Sequence, residues 1–230
     1  MQDRPYFFTL AGTDGSGKTT TLKLLRDSSD SLGRPVVFLD KKDSVGTECY
    51  ADSHLASLRD LIWGHPKDAP VHLLGEMHWM HLQAAWFHAL GHYRIRPTLK
   101  SGKSVFMDGW HHKFLARVDL APSLDYRQVS GFFEGVVEPD CVVLLDVEPE
   151  VALARKRSFT EVEGGNFRGE SRATWESFVD HQGALREKLR QMASLRNWPV
   201  VSVAHKSKEQ VCSEVLDAIA KWERDYSQRG

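Results

Sequence analysis

The stretch that most constrains the fold is a glycine loop between an apolar run and a helical pattern. "GTDGSGKT" (12–19) fits the pattern Gly-x-x-x-x-Gly-Lys-[Ser/Thr]. It follows "YFFTLAG" (6–12) and opens "KTTTLKLLRDSSD", which is the strand–loop–helix context that a phosphate-binding loop requires. Glycines let backbone N–H groups turn toward phosphate oxygens, and a helix N-terminus adds partial positive charge. The predicted nucleotide-binding residues are Gly12, Gly15, Ser16, Gly17, Lys18, Thr19 and Thr20.

Two side chains of this loop carry the expected chemistry. The ammonium group of Lys18 would reach the β- and γ-phosphates of a bound nucleotide, and the hydroxyl of Thr19 would bind Mg²⁺. The loop therefore predicts ATP as the donor and Mg²⁺ as the metal, but it says nothing about the acceptor.

Four further apolar runs follow the loop. They are "PVVFLD" (35–40), "SVFMD" (104–108), "CVVLLDV" (141–147) and "PVVSVA" (199–204). Their nearly continuous apolarity favours strands that are covered on both faces, as in a parallel sheet, and the lengths between them suit crossover helices. We therefore predict an α/β fold, a three-layer sandwich around a five-stranded parallel sheet, in a single domain spanning 1–230.

Composition excludes several classes of partner. The net charge is -1 and the isoelectric point about 6.8, which argues against a nucleic acid polymer or an anionic membrane as the partner. No stretch approaches the ~18 apolar residues of a membrane span. The three cysteines are far apart in sequence and odd in number, which is typical of a reduced, cytoplasmic protein.

Several stretches resemble the thymidylate kinase family. "AGTDGSGKTT" (11–20) is similar to the phosphate loop of that family, and "EPDCVVLLDVEPEVALARKR" (138–157) to its Pro-Asp, strand and Asp-x-x-Pro-Glu-x-Ala stretch. "IRPTLKSGKSVFMD" (95–108) and "WPVVSVAHKSKEQVCSEV" (198–215) are similar to its third and last strands with the adjoining helices. The resemblance covers most of the chain. It implies a P-loop kinase fold with a mobile lid, at about 155–172 here, and a homodimer, which is common in the family.

The resemblance also implies roles for individual residues. Asp14 takes the place of a loop carboxylate near the metal and the donor phosphates, so it is expected to act in catalysis and metal binding. Gly15 stands where one subgroup of the family carries an arginine. Because the loop of this chain lacks that arginine, the catalytic arginine is expected in the lid. Arg155 and Arg157 begin that lid, and Arg168 or Arg172 would close it. A lid arginine would neutralise charge on the transferring phosphoryl group and exclude water.

The acceptor side departs from the family pattern. Where the family has Asp-Arg-Tyr after its third strand, this chain has Asp108-Gly109-Trp110, and the helical region 76–94 contains no arginine before Arg94. After the second strand, "DKKDSVGTE" replaces Arg-Glu-Pro-Gly-Gly-Thr, so Lys41 or Lys42 is the candidate substitute cation. A phosphate bound without arginine loses charge-assisted bonds of roughly 1.5–3 kcal/mol each. These losses favour an acceptor that carries no phosphate.

The other acceptor candidates surround the strand-end acid. Asp108 could order Mg²⁺-bound water or accept the proton of the acceptor hydroxyl, and the structural alternative is a cap for a helix that begins at Trp110. At about 100° per residue, four histidines of the region 78–92 fall on one helix edge, which suggests an acceptor pocket. The predicted substrate contacts are Trp110, His111, His81, His88 and Lys42, and the predicted metal ligands are Thr19, Asp14 and Asp108.

The leading hypothesis is an Mg²⁺/ATP-dependent phosphotransferase that acts on a small nucleotide-like acceptor, with the family activity, dTMP to dTDP, as the first example. Two alternatives remain open. One is a kinase for a nucleoside or another small hydroxyl compound, and the other is a nucleotide-binding regulator that has lost catalysis. A nucleic-acid kinase would need a basic groove, which the near-neutral charge disfavours.

Overall fold

The computed structural model describes residues 4–39, 49–66, 69–156, 158–166 and 173–228. Its strands are β1 Phe7–Ala11, β2 Val36–Leu39, β3 Ser104–Met107, β4 Cys141–Asp146 and β5 Val200–Ser202. Its α-helices are α1 Lys18–Asp27, α2 Tyr50–Trp63, α3 Glu76–Leu90, α4 Arg96–Lys100, α5 His112–Val118, α6 Tyr126–Gly131, α7 Pro149–Ala154, α8 Trp175–Arg196 and α9 Lys208–Ser227. Two 3₁₀ turns, Ser29–Leu32 and Val71–Leu74, and a π-helical turn, Gly91–Ile95, complete the regular structure of the described residues.

The five strands form one parallel sheet in the order β2-β3-β1-β4-β5. Each strand lies within an apolar run identified in the sequence, so the predicted fold class is confirmed. β1 is central, and Phe8 is paired with Phe106 of β3 on one side and with Cys141 of β4 on the other. Because all strands are parallel, the residues that follow β1 and β3 meet at the same edge of the sheet. That edge holds the glycine loop and Asp108.

Alternate residues of the strands enter different layers of the core. Phe8 and Leu10 of β1 belong to a buried cluster that includes apolar side chains of α1 and α9. Phe7 faces the other way, into a cluster with α2, α3 and α5, and Ala11 belongs to a third cluster that includes side chains of α8. Helices therefore cover both faces of the sheet, which explains why its strands are apolar without alternation.

The longest described helices, α8 and α9, have 22 and 20 residues. Both carry charged side chains at intervals along their length. None of the helices in the described ranges combines the length and the apolarity needed to cross a membrane.

Candidate active site

The glycine loop has a backbone that only glycine adopts easily. Gly12 has φ 152°, and a Cβ there would lie 2.5 Å from Ser16 Oγ and 2.8 Å from the carbonyl oxygen of Leu145. Gly17, with φ 92°, immediately precedes the first residue of α1. The loop can therefore curl tightly between β1 and α1 with its amide groups directed inward.

The ammonium group of Lys18 lies over this loop. It donates to the carbonyl oxygens of Gly12 and Thr13 at 3.0 and 2.8 Å, and to Ser16 Oγ at 3.3 Å. The same three oxygens mark the concavity where a phosphate would be held. A bound phosphate would compete for these interactions, because the ammonium group has only three N–H donors.

Thr19 and Asp108 meet at the edge of the sheet. The hydroxyl of Thr19 donates to Asp108 Oδ2 at 2.8 Å, whereas Asp108 Oδ1 is buried and has no hydrogen-bond partner among the described residues. The helix-cap interpretation of Asp108 is not supported, since α5 begins at His112 and His111 is its N-cap residue. A hydroxyl and an unpaired carboxylate oxygen are hard ligands, so the pair fits Mg²⁺.

Asp14 has a different environment from the one the resemblance implied. Its Oδ1 accepts from Lys113 Nζ, and its Oδ2 accepts from Arg117 Nη2 at 2.9 Å and from Gln182 Nε2 at 3.3 Å. Burial alone would raise the pKa of Asp14, but the charges of Lys113, Arg117 and Lys18 outweigh burial and hold this pKa well below its ordinary value. Both carboxylate oxygens are therefore engaged by the protein, and the arrangement does not support a metal-binding or catalytic role for Asp14.

The fully buried side chain of Gln182, on α8, links the loop to the predicted lid. Its Oε1 accepts from the backbone N–H of Asp14 at 2.9 Å, and its Nε2 donates to the carbonyl oxygen of Glu163 at 2.7 Å. Within the lid segment, Lys156 pairs with the Glu163 carboxylate at 2.7 Å. Hydrogen bonds of one amide therefore join the phosphate loop, α8 and the lid.

Only part of the predicted lid can be described. Arg155 is exposed and lies at the wall of the central cavity, beside Lys156, Thr160, Val162 and Glu163. Its Nη2 donates to the carbonyl oxygen of Val203 at 3.4 Å. The other lid candidates, Arg157, Arg168 and Arg172, lie outside the described residues.

A cavity of about 1350 Å³ extends from the glycine loop to α2 and α3. At one end its wall contains every predicted nucleotide-binding residue, namely Gly12, Gly15, Ser16, Gly17, Lys18, Thr19 and Thr20. At the other end the wall is largely aromatic and apolar, with contributions from Ile62, Trp63, Trp79, Met80, Phe114, Val118 and Leu124. The cavity therefore combines a surface suited to phosphate with one suited to an aromatic body, and Asp108 borders it beside Thr19.

Sequence reasoning missed three cations on the α2 and α5 side of this cavity. Arg59 of α2 and Lys113 and Arg117 of α5 all contribute to its wall. Arg59 Nε and Nη2 contact Asp60 Oδ1 at 2.9 and 2.8 Å. The i,i+4 spacing of Lys113 and Arg117, directly after the strand-end acid, was the signal available in the sequence. The acceptor side is thus less depleted of positive charge than the family pattern suggested.

The predicted histidine edge was wrong as an acceptor pocket. The ring of His81 stacks on Phe132 with centroids 4.1 Å apart, and His88 Nε2 contacts the carbonyl oxygen of Phe132 at 2.9 Å. The α3 side chains at the cavity are instead Glu76, Trp79, Met80 and Gln83. At about 100° per residue, His81 and His88 lie roughly 160° and 140° around the helix from Gln83, and both contact Phe132, whereas Gln83 borders the cavity.

Two more predicted substrate contacts, Trp110 and His111, have different surroundings from those expected. Trp110 is 2 % exposed, and its indole N–H donates to the carbonyl oxygen of Val137 at 2.8 Å, so it is a core residue that only borders the cavity. His111 is equally buried, is absent from the cavity wall and faces Glu138. Lys42 lies outside the described residues.

Comparison with known proteins agrees with this geometry. The family model described as thymidylate kinase matches residues 10–215. A thymidylate kinase of Protochlamydia amoebophila is 29% identical over 161 residues, which cover 68% of this chain and 67% of that protein. The thymidylate kinase of Lactobacillus helveticus is 30% identical over 66% of this chain and 68% of its own length. A Wolbachia pipientis thymidylate kinase is 26% identical over 94% of this chain and 96% of its length. The chain therefore belongs to the thymidylate kinase family of ATP-dependent nucleotide kinases.

Proposed function

We propose that this kinase transfers the γ-phosphoryl group of ATP to a nucleoside monophosphate, with dTMP as the first acceptor to test. One observation carries the proposal: a single cavity joins the phosphate loop and the Thr19–Asp108 pair to an aromatic wall and three cationic side chains. The relatives named thymidylate kinase support the same choice of acceptor.

The donor end would work through three groups. The Thr19 hydroxyl and Asp108 Oδ1 would hold Mg²⁺, which when bound neutralises charge on the β- and γ-phosphate oxygens. Lys18 would leave the loop oxygens that it now contacts and donate to the transferring phosphoryl group. Arg155, at the cavity wall, would add positive charge from the lid side.

The acceptor end suits a nucleobase. Trp79 and Phe114 contribute aromatic surface, against which a planar base can stack. Gln83 is 8% exposed, borders the cavity and has an Oε1 with no hydrogen-bond partner among the described residues. A base N–H group would satisfy this oxygen, which would otherwise remain a buried unpaired acceptor.

The acceptor phosphate would depend on the three cations that sequence reasoning missed. Lys113 and Arg117 share the single carboxylate of Asp14. Burial lowers the pKa of Lys113 well below its ordinary value, so Arg117 is the more firmly charged of the two. Arg59 lies on the opposite, α2 side of the cavity wall. These charges support binding of a phosphate dianion, because charge-assisted bonds to phosphate are the strong ones.

A nucleoside without a phosphate is the second candidate. Arg59 already contacts Asp60, and both Lys113 and Arg117 already contact Asp14. If those carboxylates keep their partners when the acceptor binds, little positive charge is left for an acceptor phosphate. The cavity would then select an uncharged nucleoside by its aromatic wall alone.

The test is an acceptor screen with the full chain, Mg²⁺ and ATP, in which ADP release is measured. The panel pairs each nucleoside monophosphate with its nucleoside, so that only the phosphate differs. We expect acceptor-dependent ADP release with dTMP or another monophosphate, and none with the matching nucleoside. Turnover of nucleosides alone would replace the proposal with the second candidate, and ATP binding without turnover of any acceptor would favour the regulator.

The kinetics of an Arg59 variant provide a second test. Arg59→Gln should raise KM for the monophosphate at least about tenfold while KM for ATP stays unchanged, because it removes one charge-assisted contact. Arg127→Gln, which changes an exposed arginine of α6, is the matched control. An equal effect of both variants on KM would remove Arg59 from the acceptor site.

A further inference from the structure

A cluster of two histidines and a glutamate adjoins the active site, where His112 borders the cavity, and the proposed reaction assigns it no role. His111 and His112 follow β3 and begin α5, and Glu138 lies in the segment that precedes β4. The ligand atoms of the three side chains all lie within 4.8 Å of one another. Among the residues described here, this is the one group of three or more histidine, cysteine or acidic side chains with that spacing.

The distances within the cluster suit a shared ion better than a hydrogen bond. His111 Nε2 lies 3.3 Å from Glu138 Oε1, and His112 Nε2 lies 3.4 Å from Glu138 Oε2. Charge-assisted N–H···O bonds are usually about 2.7–2.9 Å long. Ligands held tetrahedrally at about 2.0–2.1 Å from one zinc ion are about 3.3–3.4 Å apart. Each separation therefore equals that between two ligands of one zinc ion, with a different oxygen of Glu138 facing each imidazole.

Ring contacts hold the two imidazoles in place. The rings of His111 and His112 stack with centroids 4.3 Å apart, His111 also stacks on Phe133, and His112 meets the edge of Trp198. The two side chains are therefore positioned before any ion binds.

Glu138 supplies both the negative charge and the access route. Its side chain is 58% exposed, whereas those of His111 and His112 are 2% and 3% exposed. An ion can therefore enter from solvent at the carboxylate and reach nitrogen ligands that are shielded from solvent.

The donor set selects the class of metal. Two imidazole nitrogens and one carboxylate suit zinc and its first-row neighbours, whereas Mg²⁺ and Ca²⁺ prefer oxygen ligands. We propose that His111, His112 and Glu138 form a Zn²⁺-class site in which water completes the coordination. This site is separate from the Mg²⁺ ligands Thr19 and Asp108.

The test measures metal binding, not catalysis. The full chain is stripped with chelator and then titrated with Zn²⁺ or Co²⁺ in saturating Mg²⁺, which occupies the Thr19–Asp108 pair. We expect one Zn²⁺ per chain by calorimetry and, with Co²⁺, the visible absorption of tetrahedral coordination. We also expect Zn²⁺ to raise Tm, because an ion that binds only the folded state stabilises it.

Two glutamate variants decide whether the site is specific. Glu138→Gln keeps the shape of an exposed side chain and removes its charge, and it should weaken Zn²⁺ affinity at least about tenfold. Glu134→Gln, at a nearby exposed glutamate of the same segment, should leave the affinity unchanged. His112→Gln should also abolish the Co²⁺ absorption, provided that its circular dichroism shows a folded chain.

Two results would overturn the proposal. One is the absence of saturable Zn²⁺ binding up to roughly 1 mM, which corresponds to only about -4 kcal/mol. The other is equal Zn²⁺ affinity of Glu138→Gln and the wild type, which would assign the bound ion to a different site. Retention of Zn²⁺ binding by Asp108→Asn would further separate this site from the Mg²⁺ site.

Discussion

The hydroxyl of Thr19 donates a 2.8 Å hydrogen bond to Asp108 and so joins the first turn of α1 to the end of β3. These residues are 89 positions apart in sequence and adjoin because β1 and β3 are parallel neighbours. The second oxygen of Asp108 remains unpaired among the described residues, which leaves it available to a cation.

This pair should set the magnesium requirement. Thr19→Ser keeps the hydroxyl, so we expect nearly wild-type kinetics, whereas Thr19→Val and Asp108→Asn should lower kcat by at least about 100-fold. The measurement is ADP release as a function of Mg²⁺ concentration. If Thr19→Val matched Thr19→Ser at every Mg²⁺ concentration, the hydroxyl would have no role in metal binding.

Removal of the Lys18 ammonium group should abolish turnover without unfolding the chain. Lys18→Ala is expected to lower kcat by about 100- to 1000-fold, because a positive charge aimed at the transferring phosphoryl group is lost. Lys23→Ala changes an exposed lysine of the same helix and should retain full activity. Comparable losses in both variants would indicate damage to α1 and not a missing catalytic charge.

Asp14 should matter more for stability than for catalysis. Asp14→Ala leaves the buried cations Lys113 and Arg117 without their carboxylate, which should cost about 3–5 kcal/mol of unfolding free energy. The double variant Asp14→Ala/Lys113→Met removes one of the uncompensated charges and should recover part of that loss. Urea unfolding of the single and double variants measures the coupling. Additive losses would contradict the observed ion pairs.

The backbone at Gly12 should not accept a side chain. Gly12→Ala would place a Cβ 2.5 Å from Ser16 Oγ and 2.8 Å from the Leu145 carbonyl oxygen, so the loop must shift and ATP binding should weaken at least about tenfold. Gly33→Ala is a matched control, since Gly33 also has positive φ but a Cβ there meets nothing within 4 Å. Nucleotide affinity by calorimetry should therefore fall only in Gly12→Ala.

Stability should fall as the pH drops from 7 toward 5. Burial, followed by the charge of Arg117, lowers the pKa of His181 from 6.5 to about 4. The unfolded chain then binds more protons than the folded chain between these values, so the free energy of unfolding decreases with falling pH. One such group contributes at most about 1.4 kcal/mol per pH unit. The buried His112 acts in the same direction.

Urea unfolding at several pH values, with chelator present, measures this slope. His181→Gln cannot take up the proton and should flatten the dependence between about pH 6.5 and pH 4.5. Asp14 and Glu138 have lowered pKa values, so their contribution to the free energy of unfolding is lost only at more acidic pH. They do not affect the pH range over which His181 acts. If the unfolding free energy of His181→Gln depended on pH as steeply as that of the wild type, His181 would not be buried as a neutral group.

The sheet and the donor end could be predicted because their signals are local. Each strand is a nearly continuous apolar run, and the glycine loop is a fixed pattern between a strand and a helix. The long-range contacts could not be predicted in this way. Asp14 lies 99 and 103 positions from Lys113 and Arg117, and no local spacing indicates that α5 turns back over the loop.

The prediction of which side of α3 faces the acceptor failed for a different reason. This helix has aromatic or apolar residues on several sides, so its pattern does not show which side is covered by which neighbour. Phe132, which covers His81 and His88, comes from a segment to which the sequence assigned no role. An imidazole edge can therefore be identified from spacing alone, but the surface that it faces depends on tertiary packing.

The amide of Gln182 has a consequence for the movement of the phosphate loop. Because it bonds Asp14 in the phosphate loop and Glu163 in the lid segment, neither can shift far without breaking a hydrogen bond that the other shares. A fully buried amide cannot exchange such a bond for one to water. A displacement of the phosphate loop would therefore strain hydrogen bonds that also position α8 and Glu163.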